Sequence, residues 1–205
     1  MALTLIFLSF FYQGILKEAG DFLAPTAMAK ADVVILEGSE LVRENGVRIG
    51  MSLLSSGRAS RMVVVYQHSE EEKVFTRPLN YNDFLSQKLE NLGLRKDQIL
   101  VLSVPKEHPI TLTEAQIVLS NLTKNGVRSA ILLAESFHTR RSFWTYKQVG
   151  LPLGIKIVPH PYFIKFRKEN WWQHNQGVRE FSSESLKFLY YLLRGYIPLK
   201  SLVVI

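Results

Sequence analysis

Cysteine is absent from this 205-residue chain. That excludes thiolate nucleophiles, disulfides and zinc ribbons. It fits a cytosolic address, and equally a bacterial envelope protein that avoids thiols. The chain also lacks a glycine-rich GxGxxG fingerprint and a G-x-S-x-G elbow, which argues against a standard dinucleotide loop and against a serine hydrolase. No two histidines stand four apart, and no acidic companion is suitably placed, so no dedicated metal site is expected. Dense Lys/Arg runs are missing too. The net charge of +7 is scattered along the chain, and no nucleic-acid-binding motif accompanies it. Nucleic acid is therefore an unlikely partner. The charge suits an anionic membrane surface or a phosphorylated ligand better. There is no internal repeat and no low-complexity segment.

What is present is enough apolar residue, 47%, to bury a proper core in one domain. The amino terminus stands apart. Leu3 to Leu16 carries no charge and includes four aromatics, a composition that favours a bilayer or its interface. As a helix it spans about 21 Å, short of the roughly 30 Å hydrocarbon core. No basic region precedes it, so it makes a poor signal peptide. It reads as a trimmed membrane anchor, an interfacial helix or a helix packed on the domain, with membrane attachment favoured. Lys17 to Lys30 reads as a connector broken at Gly20 and Pro25. Residues 1–24 are thus expected to form a hydrophobic amino-terminal segment and residues 25–200 a single domain. The body from Ala31 is expected to be soluble without the segment.

From Ala31 onward strands and helices alternate. Strands are expected at Asp32–Leu36, Arg61–Tyr66, Gln98–Leu102, Ser129–Ala134 and Ile155–Val158, each a near-continuous apolar run suited to burial on both faces. Helices are expected at Leu41–Ser56, Tyr81–Asn91, Thr113–Asn125, Thr139–Gly150 and Ser183–Arg194, several closed by glycine. The acidic Glu70-Glu71-Glu72 falls in a loop from Gln67 to Arg77 and reads as solvated. Such alternation implies right-handed crossovers and an α/β, three-layer fold with a mostly parallel sheet.

Ligands in such sheets bind where strands end and helices begin. The fourth strand stops at Ser136-Phe137-His138-Thr139-Arg140-Arg141. A hydroxyl, an imidazole and two guanidinium groups suit a small anionic or polar ligand. His138 is the best acid–base candidate, and Ser136, Arg140 and Arg141 are candidate ligand contacts. Glu37-Gly38-Ser39 turns the first strand into a helix whose early Arg43 can close on the same anion. On motif grounds alone a tight turn is the readier explanation of Gly38. Thr111-Leu112-Thr113-Glu114 matches a capping box, which explains Glu114 without a ligand. Glu114 also sits on the edge that carries His138, where a carboxylate can orient an imidazole or act as a base, and Thr113 is a candidate contact there. Trp171-Trp172 and Phe181 form either a lid over this edge or a patch facing a bilayer. Glu184 needs no role beyond the helix dipole. No motif names a cofactor.

The ordered set resembles the SanA/YdcF/ElyC family of bacterial proteins. It comprises an apolar strand ending in a glycine turn, an Arg-bearing helix, Thr113-Glu114, Ser136-x-His138-x-x-Arg141, and a Trp and an Arg before a Glu-bearing terminal helix. Asp21-Phe22-Leu23 matches a connector in the membrane-anchored members. The resemblance implies a Rossmann-like fold. It also implies a role in envelope or peptidoglycan maintenance, at the bacterial inner membrane or cell envelope. The chain departs from the family at Glu37-Gly38, at Tyr66-Gln67-His68 and near Asn82-Asp83. A ligand site is the leading expectation, and a non-catalytic envelope scaffold with a degenerate pocket is the alternative.

Overall fold

The computed structural model describes residues 2–68 and 81–203, with side chains from residue 11 onward. The strands are β1 (Val33–Ser39), β2 (Arg61–His68), β3 (Ile99–Pro105), β4 (Ser129–Glu135) and β5 (Lys156–Tyr162). They form one sheet in the order β3-β2-β1-β4-β5. Every pairing is parallel. The helices are α1 (Ala2–Leu23), α2 (Glu44–Ser55), α3 (Tyr81–Asn91), α4 (Ile110–Lys124), α5 (Thr139–Gly150) and α6 (Asn175–Leu193). The fold is the Rossmann-like three-layer α/β sandwich that the alternation implies.

Side chains along each central strand divide between two cores, because successive residues point to opposite faces. Val33, Ile35, Val63, Val65 and Leu132 pack beneath α4, α5 and α6. Val34, Leu36, Met62, Val64 and Leu133 pack beneath α2 and α3. The chain leaves β1 in one direction to lay down β2 and β3, then crosses back to place β4 on the other side of β1. The strand order therefore reverses between β1 and β4, and the segments after these two strands diverge to leave a crevice.

Several boundaries differ from the sequence expectation. β5 continues through Pro159 and Pro161 to Tyr162. It is an edge strand paired with β4 alone, where missing amide donors are tolerated. α6 begins at Asn175 rather than near Ser183. Gln67 and His68 belong to β2, and the acidic triplet expected after them lies outside the described residues. α1 does not break at Gly20. Gly20 packs against the indole of Trp171, and the helix runs on to Leu23. Its last turns dock on the body: Leu23 and Ala24 are buried with Phe137, Phe166 and Trp171 in a third apolar cluster. Leu23 and Ala24, which the sequence reading places in the amino-terminal segment, therefore belong to the packed core. Among the described residues, no helix is long and apolar enough to cross a membrane.

Candidate functional site

The crevice between the ends of β1 and β4 is a cavity of about 840 Å³. β1 delivers Glu37 to it, the first charged residue after an apolar run and 91% buried by its 9% exposure. β4 delivers Glu135 and Ser136. A single turn of 3₁₀-helix, Ser136–His138, then feeds α5. Ser136 adopts a left-handed conformation, φ 54°. That turn sends Phe137 into the aromatic cluster under Trp171 and His138 into the cavity.

His138 lies between two carboxylates. Its Nε2 is 2.8 Å from Glu37 Oε1 and its Nδ1 is 3.2 Å from Glu184 Oε2. Ser142, one helical turn on, donates its hydroxyl to Glu37 Oε1 at 2.5 Å. Arg141 donates Nε to Glu184 Oε2 at 3.1 Å and Nη1 to Thr111 Oγ1 at 2.8 Å. Its guanidinium lies over the Tyr191 ring at 4.7 Å. Burial pulls the imidazole pKa down and Arg141 adds to this, but Glu37 and Glu184 outweigh both and push it up to about 9. The imidazolium is therefore the form at neutral pH. Burial raises Glu184, yet His138, Arg141 and Lys187 hold its carboxyl well below the usual range. Arg141 Nη2 stands 2.7 Å from His138 Nδ1. A neutral imidazole can accept from it there, while the imidazolium donates from the same nitrogen to Glu184. Each protonation state thus has a partner for Nδ1, Arg141 for the neutral ring and Glu184 for the imidazolium, and the switch requires the Arg141 donor to turn away from the protonated nitrogen. The side chain keeps 25% exposure, so a molecule in the cavity can reach it.

Glu114 is not in the cavity. It is completely buried and lies beneath the β1 turn. It accepts from the Gly38 amide at 2.9 Å, the Tyr146 hydroxyl at 2.7 Å and the Gln67 amide at 2.6 Å. Burial, and next the charge of Glu37, raise its pKa to about 7, against those three donors. It makes no contact with His138, so the base or orienting role expected for it is corrected. The capping box is corrected as well. α4 begins at Ile110 behind Pro109, without a side-chain cap, and Thr111 and Glu114 spend their oxygens on Arg141 and Gly38. Gly38 has a different reason from the one expected. Its amide serves Glu114 rather than a ligand, and a Cβ there would sit 2.6 Å from Glu114 Oε2.

The remaining candidates divide. Ser39 and Arg43 line the cavity with Gly38, Ser136, His138 and Arg141. Ser39 donates to the Leu41 carbonyl at 2.6 Å, and Arg43 pairs with Glu135 at 2.9 Å. Thr113 lies in the first turn of α4, outside the lining. Arg140 points the other way. It is 1% exposed and donates to the carbonyls of Phe22, Ser201 and Val203, with its guanidinium 3.7 Å above the Phe22 ring. Burial pulls its pKa down to about 10. Arg140 is a structural tie between α5, the end of α1 and the carboxy terminus, not a ligand contact. Trp171 is buried against Phe181 at 4.0 Å, and neither tryptophan lines the cavity, so no lid is built from them.

Glu37, Glu184, Ser142 and Gln67 are members of the candidate site that sequence reasoning did not assign to it. Ser142 was findable, because i and i+4 on α5 share a face with His138. A glutamate ending a buried strand just before glycine is a weaker signal, and nothing linear links Glu184 to His138. The cavity is close to balanced in charge. Glu37, Glu40, Glu135, Glu180 and Glu184 face Arg43, His138, Arg141, Arg179 and Lys187. Among the described residues, Arg179 at the rim has no ion pair. Glu37 Oε2 and the Ser136 hydroxyl are buried without partners. Among the described residues, no group of three His, Asp or Glu side chains could hold a metal ion.

No family model, curated protein or solved structure matches this chain.

Proposed function

We propose that the cavity binds a small anionic ligand, such as a nucleotide or a phosphorylated sugar or lipid precursor. In this reading His138 is the proton-donating group of the site. The observation that carries it is the imidazolium held between Glu37 and Glu184 at the strand-order reversal of a parallel sheet, where α/β sheets bind ligands. Among the described residues Arg179 at the rim has no ion pair and the buried Ser136 hydroxyl has no partner, so both can donate to an anion, and the volume admits a ligand of that size. The resemblance to the SanA/YdcF/ElyC proteins supports a membrane-associated role in bacterial envelope or peptidoglycan maintenance. The apolar, partly exposed α1 agrees with that location.

A panel of melts tests the site. Ribose 5-phosphate, glycerol 3-phosphate, uridine monophosphate and inorganic phosphate are added to the full chain and to its Arg179→Ala and His138→Ala variants. A ligand at 100 times its Kd adds about 2.7 kcal/mol to the folded state. A rise in Tm for at least one phosphate, lost in both variants, is the expected outcome. If none raises the Tm of the unaltered chain, the reading fails. The rival, a non-catalytic scaffold, is favoured by one observation: most cavity cations already have carboxylate partners. It predicts no shift with any of the four and loss of envelope function from surface changes only.

A further inference from the structure

The solvent side of α6 carries an apolar stripe that, among the described residues, nothing covers. Val178, Ser182, Leu186, Leu189 and Leu193 recur at helical spacing and so share one face, at about 100° per residue. Leu186 is 70% exposed and Leu193 77%. Tyr190 borders the stripe. The carboxylates of α6 do not lie on it, because Glu180 and Glu184 face the cavity.

Two neighbouring segments continue this surface. Leu199, Leu202 and Val203 near the carboxy terminus are exposed, and Arg140 ties their backbone to the end of α1. On α1, Phe11, Ile15 and Phe22 fall on one strip by the same helical spacing. Phe22 meets Phe188 of α6 edge-on at 5.8 Å, while Phe11 and Ile15 run on exposed beyond it. The exposed cations that fringe the surface are Arg179, Arg194 and Lys200. One exposed carboxylate, Glu18, shares the α1 strip with Phe11, Ile15 and Phe22 by helical spacing, so the cations outnumber it three to one.

We infer that this face of the body, formed by α6, the carboxy-terminal segment and the outer strip of α1, seats on an anionic phospholipid bilayer. The inference deepens the membrane reading above, by giving the body its own contact and setting its orientation. A second copy of the chain fits less well, because pairing two such faces gathers six cations, Arg179, Arg194 and Lys200 of each, against only the two Glu18 carboxylates. An anionic surface attracts these groups, and the leucines and tyrosine enter the headgroup boundary as an interfacial helix does. The cavity lies on the adjacent side of α6, with Arg179, Lys187 and Tyr190 at its rim, so its mouth opens beside the lipid surface.

The absence of native cysteine makes the test direct. Single variants Leu189→Cys, Leu193→Cys and Leu199→Cys of the full chain are labelled with a polarity-sensitive fluorophore. Ser55→Cys and Asn91→Cys, on the helices of the opposite layer, serve as controls. Each is mixed with vesicles of phosphatidylcholine alone or with phosphatidylglycerol, with and without spin-labelled lipid. The expected result is a blue shift with quenching at the three test positions, on phosphatidylglycerol vesicles only, with silent controls. Leu189→Glu combined with Leu193→Glu should weaken vesicle partition by about tenfold or more while leaving the melt unchanged. If the chain sediments with vesicles but the test labels stay silent, this inference falls and the attachment through α1 stands. If the chain stays in the supernatant, both fall. An equal response on phosphatidylcholine alone overturns the anionic requirement. A shift that appears without lipid, with a dimer in sedimentation that the double variant abolishes, assigns the face to a second copy and overturns the proposal.

Discussion

His138 keeps its proton because two carboxylates face it, and the same arrangement ties stability to pH. Its pKa in the folded chain is about 9, against about 6.5 when unfolded. The stabilisation is fully present below pH 6.5 and is lost as pH rises through 9. Glu114 works with the same sign lower on the scale. Raised to about 7 by burial and Glu37, it costs stability as pH climbs from about 4.5 through 7. Urea melts at pH 8 and 9.5 isolate the imidazole, since Glu114 has lost most of its proton by pH 8. The unaltered chain should lose stability between the two, and His138→Ala should lose distinctly less. An equal loss in both chains would show that Glu37 and Glu184 do not hold that proton. Arg141 is also held in the interior: its side chain is 7% exposed, and removing it leaves Glu184 and Thr111 short of a donor there, where an unmade bond costs about 1–3 kcal/mol.

At the scale of elements, two turns set the site. The left-handed Ser136 costs roughly 1–2 kcal/mol for a residue with a Cβ, and in return Phe137 and His138 point into different environments from adjacent positions. The other turn is Trp171–Gln173, which packs against the start of α6. Gly177, on α6, lies so close to the Trp171 carbonyl that a Cβ would overlap it. The Gly177→Ala change cannot be absorbed by a flexible side chain, because backbone stands in the way. It should destabilise the fold by about 1–3 kcal/mol, as overpacking does. Moving α6 would also draw Glu184 away from His138. Urea denaturation of this variant should show the loss, and the His138 pKa, followed by proton NMR, should fall. An unchanged midpoint would mean that α6 is not held where Gly177 places it.

The whole molecule depends on the end of α1 more than its sequence suggests. Trp171 donates its indole N–H to the Leu16 carbonyl at 3.0 Å, Lys168 pairs with Asp21 at 2.5 Å, and Leu23 is 3% exposed. Burying one leucine contributes about 1.5–3 kcal/mol, and in a chain of this size each kcal/mol moves Tm by about 2–4 °C. A chain starting at Lys30 should therefore melt at least about 5 °C lower than the full chain. It should also bind a hydrophobic dye at the uncovered Phe137 and Phe166. A chain starting at Gly14 keeps these contacts and should melt close to the full chain. If both truncations melt alike, α1 is an appendage and the docking is not part of the fold's stability.

Local pattern was enough for the sheet. Apolar runs of strand length, helical spacings between them and glycines at Gly93 and Gly126, both with positive φ, announce an α/β alternation and its parallel sheet from sequence alone. They also place Ser136, His138 and Arg141 at a strand end, because a strand end is a local event. What local pattern cannot carry is which side chains meet across the reversal of strand order. Glu37 and His138 are 101 residues apart, and Glu184 is a further 46 from His138. Neighbouring arginines also separate by rotation on the helix: Arg140 and Arg141 turn about 100° apart on α5, so one ties down the termini while the other reaches the cavity. Identical side chains at adjacent positions thus acquire opposite duties, and only the packing of α1, α5 and α6 decides between them.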